Sequence, residues 1–133
     1  MKKNTNYLSS ILSNFKEYGI SKLEEIRKNF SYNLPAILSV IDPKQFDAFK
    51  SIYLNHLLIE KNLEIRQTAL AGLHEILKLI GWEECHKVFK DVMKTLFKET
   101  NFVLIKKLVE QINEILEAFY DEEVWGNEEY VIF

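Results

Sequence analysis

The architecture of this chain is most visible in the stretch NLEIRQTALAGLHEILKLIG, Asn62 to Gly81. A similar stretch, NFVLIKKLVEQINEILEAFY, follows at Asn101 to Tyr120. Both begin with an Asn that can cap a helix, followed by apolar residues at spacings of three and four. The repeat also extends backwards, because Glu25-Ile26-Arg27 aligns with Glu64-Ile65-Arg66. The sequence therefore predicts repeating structural units of about 39 residues.

The same helical spacing runs through most of the chain, and no stretch alternates with a period of two. Ser21 and Glu24 form a capping-box pattern, Gly19 suits the left-handed end of a preceding helix, and Asp42-Pro43 is typical of another helix start. We therefore predict an all-α fold. The six predicted helices span about 6–18, 22–41, 43–59, 63–80, 83–98 and 102–119.

Two helices in each unit of about forty residues are typical of HEAT repeats. One helical hairpin cannot bury its apolar stripe alone, so neighbouring hairpins stack to form a continuous core. We predict an α-solenoid of three HEAT-like hairpins in a right-handed superhelical stack. The repeat domain covers residues 1–120, with units at about 6–41, 42–80 and 81–119. Residues 121–133 form an acidic, aromatic tail, which is either a docking peptide or the stub of an interrupted unit.

Four polar residues occupy equivalent positions near the predicted turns. Arg27 and Arg66 are one repeat apart, as are the predicted caps Asn62 and Asn101. Arginine can donate several hydrogen bonds from a planar group, which suits it to bridging two units. We expect these four residues to be structural contacts between repeats. Ile105 stands at the next position in the arginine series and interrupts it.

One face of the second helices is predicted to remain free for a partner. With the apolar stripe turned inward, the outward positions carry lysines near one end and glutamates near the other. Such a graded strip suits a polar protein partner, although it is equally typical of a solvated surface. The predicted partner-binding residues are Lys28, Tyr32, Gln67, His74, Glu75, Lys106, Glu110 and Asn113.

Pro35 lies well inside the second predicted helix, where it removes one backbone hydrogen bond. One interpretation is a bend that keeps the helix against its neighbour. The other is a polar pocket on the inner face, formed by Tyr32, Asn33 and the carbonyl groups freed near Ser31.

Two segments also resemble a known family. SYNLPAILSVI (Ser31 to Ile41) and LEIRQTALAGLHEILKLIG (Leu63 to Gly81) resemble the central HEAT units of the protein phosphatase 4 regulatory subunit 1 family. Gln67 departs from the family, which has a second arginine at this position. The residues that match the family motifs are Tyr32, Asn33, Pro35, Ala36, Arg66, Thr68, His74 and Glu75.

The resemblance implies a non-catalytic role in a long solenoid that holds a serine/threonine phosphatase catalytic subunit and directs it to substrates. The chain is also faintly similar to the phosphatase 2A scaffold subunit. Because family members are several times longer, it resembles a fragment or a short relative. The alternative from the residues alone is a structural repeat protein that self-associates or fills a place in an assembly, without linkage to a phosphatase.

Composition narrows the remaining function classes. The 133 residues carry 17 basic and 20 acidic side chains, with a formal charge of −3, which is unlike a nucleic-acid binder. The sequence offers no long apolar span and no secretory pattern, so we expect no membrane contact and a cytoplasmic location, with the nucleus as the alternative. We also expect no enzyme activity and no cofactor, because no phosphate loop or catalytic triad is recognisable.

The only candidate metal or nucleophile motif surrounds the single cysteine. Glu83 and His86 are three residues apart and could supply half of a metal site, but no second half is apparent. Cys85 and His86 are consecutive, so their side chains diverge on a helix and do not form a catalytic pair. We predict a core cysteine, a surface histidine and no bound metal.

Overall fold

The computed structural model describes residues 2–42, 45–96 and 99–120. This described part is helical apart from short turns and contains no strand, so the prediction of an all-α fold is confirmed. The predicted tail at 121–133 lies outside the described residues. The helices are α1 (Lys2–Gly19), α2 (Glu24–Ile41), α3 (Phe46–Ile52), α4 (Leu63–Ala71), α5 (Leu73–Ile80), α6 (Trp82–Leu96), α7 (Phe102–Glu110) and α8 (Ile112–Phe119).

The helices form two adjoining rows. In one row, α2 packs against α4 and α5, which in turn pack against α7 and α8. In the other row, α1 packs against α3, and a π-helical turn at Tyr53–Leu57 continues α3 and contacts α6. We describe these helices as three units, namely α1 with α2, α3 with α4 and α5, and α6 with α7 and α8. The handedness of this stack stays a prediction.

The apolar stripes meet between the rows and form one core. In the middle unit, Phe49 and Tyr53 from the first row and Ile65 and Leu73 from the second row are all buried. The Tyr53 hydroxyl donates a 2.9 Å hydrogen bond to the carbonyl of Ala69, which ties the two rows together. Burial of this phenol raises its pKa well above the ordinary value.

The predictions of single helices at 63–80 and 102–119 are wrong, because each is two helices. Gly72 separates α4 from α5, and one repeat later Gln111 separates α7 from α8. Glycine is a poor helix former, and the Gly72 break lies beside Pro35 of the neighbouring unit. A Cβ atom at Gly72 would be 3.1 Å from Pro35 Cγ, so a larger residue would crowd the proline ring.

The same backbone hydrogen bond is missing in the first two units, although α2 continues through the position where α4 ends. In α2, Pro35 has no N–H to donate to the carbonyl of Ser31. One repeat later, the equivalent pair is Leu70 and His74, which flank Gly72. The irregularity is thus a property of the repeat rather than of one proline.

Two expectations near the first turn are also wrong. Gly19 does not adopt a left-handed conformation, since Gly81 is the one residue of the described part with φ in that range. Instead, a Cβ atom at Gly19 would lie 2.7 Å from Ile52 Cγ2, so the glycine permits close packing of α1. The Ser21 and Glu24 capping box is not formed, because Leu23 is the N-cap of α2 and its N–H donates to Ser21 Oγ at 3.2 Å.

Candidate functional site

A groove of about 580 Å³ lies between α2 and α4 and extends to α5 and α7. We call it the inter-unit groove, because residues from all three units contribute to it. Its surface combines an aromatic ring, charged groups, amides and small side chains. The lining residues are Tyr32, Asn33, Pro35, Ala36, Glu64, Gln67, Thr68, Ala71, Gly72, Glu75 and Lys107.

Three of the eight predicted partner-binding residues line this groove: Tyr32, Gln67 and Glu75. Tyr32 is 76% exposed, although it is a large aromatic residue. Exposed aromatic side chains with a polar tip are frequent anchors in protein interfaces. Pro35 and Asn33 line the same groove, whereas Ser31 does not.

Two other predicted residues are engaged in contacts within the chain. Lys28 Nζ lies 2.5 Å from Glu64 Oε1, which joins α2 to α4 at the edge of the groove. The hydrogen bond to Glu64 raises the pKa of the Lys28 ammonium. His74 lies outside the lining, and both its backbone N–H and its Nδ1 contact Gln111 Oε1, at 3.0 and 2.8 Å.

Lys106, Glu110 and Asn113 are exposed on the last unit and lie outside the groove lining. Lys106 Nζ is 4.0 Å from Glu110 Oε1, a loose pair on one helix. Lys107 lines the groove instead of Lys106. The predicted strip is therefore divided between the groove and the surface of α7 and α8.

Gln111 is a buried polar residue that connects the last unit to the break in the middle one. Its Nε2 donates to the carbonyls of Leu70 at 2.7 Å and Lys107 at 2.8 Å. Its Oε1 accepts from the His74 N–H. Leu70 and His74 flank Gly72, and Gln111 hydrogen-bonds to both of them and to the carbonyl of Lys107. These bonds therefore fix the position of Gly72 relative to Lys107, and both residues line the groove.

The two arginines bridge successive units in the same way. Arg27 Nε and Nη2 donate to Glu60 Oε2 and Oε1 at 3.0 and 2.9 Å, across 33 residues. Arg66 contacts Glu99 across the same separation and also donates from Nε to the carbonyl of Leu58 at 3.1 Å. The hydrogen bonds with Glu60 raise the pKa of Arg27. Each arginine thus holds the second helix of one unit to the turn of the next.

The asparagines cap the helices that follow them. Asn62 Oδ1 accepts from the N–H groups of Glu64 and Ile65, and its Nδ2 donates to Glu24 Oε2 of the preceding unit at 3.0 Å. Asn101 Oδ1 accepts from the Val103 N–H at 2.9 Å. Asn62 therefore acts both as a cap and as a contact between units.

The single cysteine lies in the core, as predicted. Cys85 is buried, and its Sγ donates to the carbonyl of Ala118 at 3.4 Å. Desolvation raises the pKa of this thiol, which keeps it neutral and unreactive. The exposed His86 stacks on the ring of Phe119 with a centroid separation of 4.6 Å.

Within the described residues, no group of three or more His, Cys, Asp or Glu side chains could hold a metal ion. Among the helices of the described part, none is long and apolar enough to cross a membrane.

Sequence reasoning missed the acceptors of both arginines and the bridging role of Gln111. Glu60 and Glu99 are themselves one repeat apart, so the self-alignment contained the signal. Gln111 aligns with Gly72 and interrupts an apolar stripe. A buried polar residue in such a position needs partners, which could have suggested a helix break nearby.

Two curated proteins are similar to this chain. Serine/threonine-protein phosphatase 4 regulatory subunit 4 of Mus musculus is 28% identical over 98 residues, and that of Homo sapiens is 26% identical over 98 residues. Each match covers 72% of this chain but 11% of the relative, so the chain spans a small part of their length.

The searches of protein families and of solved structures gave no match. The chain therefore resembles a phosphatase 4 regulatory subunit at low identity. The more specific resemblance to regulatory subunit 1 is not confirmed, since the relatives found are subunit 4.

Proposed function

We propose that this chain is a non-catalytic scaffold segment that binds the catalytic subunit of a serine/threonine phosphatase of the phosphatase 4 or 2A type. The observation that carries the proposal is the inter-unit groove, where Tyr32, Gln67 and Glu75 from two units line one concavity. The similarity to a regulatory subunit of phosphatase 4 supports the choice of partner.

The chemistry of the groove favours a segment of a protein as its occupant. Ala36 and Ala71 have small side chains and Gly72 lacks a Cβ atom, which leaves room for another backbone to approach. Glu64 is already paired with Lys28, whereas Glu75 offers a carboxylate to basic side chains and the amide of Gln67 can pair with a peptide group. Tyr32 supplies apolar contact area together with a hydroxyl.

The repeat period and the stacking of successive units support a HEAT-like classification. Membership of the regulatory subunit 1 family, a cytoplasmic or nuclear location and the absence of enzyme activity stay predictions. A structural repeat protein without phosphatase linkage is the alternative, and it differs in a measurable way because it would not bind a phosphatase.

The test is direct binding of the full chain to purified phosphatase 4 catalytic subunit, measured by biolayer interferometry. Tyr32→Ala should weaken binding by about tenfold or more, because an exposed aromatic anchor is lost. Tyr120→Ala is the matched control, since Tyr120 is also exposed but lies outside the groove. Circular dichroism should be unchanged in both variants. No binding by the unmodified chain, or equal losses in the two variants, would contradict the proposal.

A further inference from the structure

The last unit presents apolar residues whose counterparts in the other units are buried. Val109, Ile112 and Leu116 are 61%, 46% and 51% exposed. Their counterparts one and two repeats earlier are all buried. These counterparts are Leu70, Leu73 and Leu77 in the middle unit and Ser31, Leu34 and Leu38 in the first unit.

This difference in exposure between the last unit and the other two follows from the order of the units. The counterparts are buried because α2 is covered by α4 and α5, and these are covered by α7 and α8. The described residues provide no further unit to cover α7 and α8. Val109, Ile112 and Leu116 therefore form a stacking surface in the last unit, which we call the C-terminal face.

The first unit has the complementary surface. Ile26 and Ile37 are half-buried, whereas their counterparts in later units are buried. An apolar groove of about 590 Å³ lies here, lined in part by Phe15, Ile26, Ile37 and Val40. We call this surface the N-terminal face. One molecule thus carries both halves of the contact that joins its own units.

We propose that the C-terminal face of one molecule binds the N-terminal face of a second copy, in the register that joins units within the chain. This inference does not depend on phosphatase binding. The contact would continue an interface that already occurs twice inside the molecule. Because the two faces differ, it is heterologous, and copies would add head to tail.

Charge at the two faces supports this register. Lys28 and Glu64 form an ion pair where the first unit meets the second. Lys106 stands at the repeat position of Lys28, and Glu25 stands at the repeat position of Glu64. Both are exposed, so the same register would place Lys106 opposite Glu25 of a second copy.

A second contact between units has apolar residues at its equivalent positions on the two faces. Glu24 and Asn62 form a hydrogen bond between the first two units. Phe102 stands at the repeat position of Glu24, and Leu23 stands at that of Asn62; both are largely exposed. A polar contact inside the chain thus corresponds to an apolar pair between copies, which suits an association driven by burial.

Sedimentation velocity of the full chain over a range of concentrations tests the proposal. The unmodified chain should form larger species as its concentration rises. Val109→Glu with Leu116→Glu disables the C-terminal face, and Leu23→Glu with Val40→Glu disables the N-terminal face, all at exposed positions. Each double variant should associate about tenfold more weakly or not at all.

Mixing the two double variants distinguishes head-to-tail association from other arrangements. Each retains the face that the other lacks, so the mixture should form one-to-one dimers and nothing larger. Ile59→Glu, at an exposed position in the turn before α4, is the control and should leave association unchanged. Lys106→Glu should weaken association by a few fold, and Glu25→Lys in the same chain should restore it.

Three results would overturn the proposal. The first is a chain that stays monomeric at every concentration. The second is an N-terminal-face variant that still dimerises by itself, which would indicate a symmetric contact between two C-terminal faces. The third is association that appears only after residues 121–133 are deleted, which would assign the C-terminal face to the tail of the same chain.

Discussion

The side-chain amide of Gln111 donates a 2.7 Å hydrogen bond to the backbone carbonyl of Leu70, in the neighbouring unit. In a continuous helix this carbonyl would accept from the N–H of His74. Here that N–H donates to Gln111 Oε1 instead. One side chain therefore satisfies both backbone groups beside the Gly72 break and joins two units while doing so.

Replacing Gln111 with Met should destabilise the protein by about 2 kcal/mol or more, because buried backbone groups lose their partners while the volume changes little. Chemical denaturation followed by circular dichroism measures the free energy of unfolding. Asn113→Met is the control, because Asn113 is exposed on α8. Substitutions at such sites change this free energy by at most a few tenths of a kcal/mol. Equal effects of the two changes would show that the Gln111 bridge contributes nothing to stability.

The contact between Arg66 and Glu99 should contribute more than an exposed ion pair. A double-mutant cycle with Arg66→Lys and Glu99→Gln should give a coupling of about 1 kcal/mol, since lysine cannot reproduce the planar donor group. The comparison is a cycle with Lys78→Gln and Glu117→Gln, whose 3.0 Å pair is exposed. That coupling should be near zero. The reverse ranking would argue against a structural role for the arginine.

The free energy of unfolding lost when an apolar side chain is removed should depend on the position of the residue in the stack. Leu73 is fully buried where two units meet. Leu73→Ala should cost about 2–5 kcal/mol, because it leaves a cavity there. Ile112→Ala is the equivalent change one repeat later, where the side chain is half exposed, and it should cost about 1 kcal/mol or less. Chemical unfolding at a concentration where the chain is monomeric measures both, and similar losses at the two positions would contradict the exposure of Ile112.

Cys85 should make stability depend on pH in the alkaline range. Its pKa is raised in the folded protein, so at neutral pH the thiol is protonated in both the folded and the unfolded state. As the pH rises past the ordinary thiol value of about 8.5, the unfolded state loses its proton first, and stability falls. The Cys85→Ala variant should lack this part of the loss. Parallel stability profiles for the two proteins above that pH would contradict the burial of the thiol.

The apolar periodicity was sufficient to predict the helices and most of the core. Ile65, Ala69, Leu73 and Ile76 recur in the sequence at spacings of three and four, and all are buried. Such residues follow a local rule, because a surface helix buries the side that carries its apolar residues. Ile26 has the same spacing but is half-buried, so spacing alone does not decide the burial of every stripe residue.

The helix breaks and the groove depend on contacts between units, which periodicity does not reveal. Gly72 is tolerated inside many helices, so its identity alone did not predict an interruption. Its role became visible through the Pro35 ring on one side and the Gln111 amide on the other. His74 shows the same limit, because it was assigned to a partner surface but hydrogen-bonds to Gln111.

Photo-cross-linking can locate a bound phosphatase catalytic subunit, which we propose lies in the inter-unit groove. A photoreactive amino acid is placed at Gln67 in the groove or, as the control, at Asn55, which is exposed outside it. Each chain is irradiated with purified phosphatase 4 catalytic subunit, and adducts are identified by mass spectrometry. We expect an adduct from Gln67 and none from Asn55. A bound phosphatase that cross-links to Asn55 but not to Gln67 would contradict this proposal.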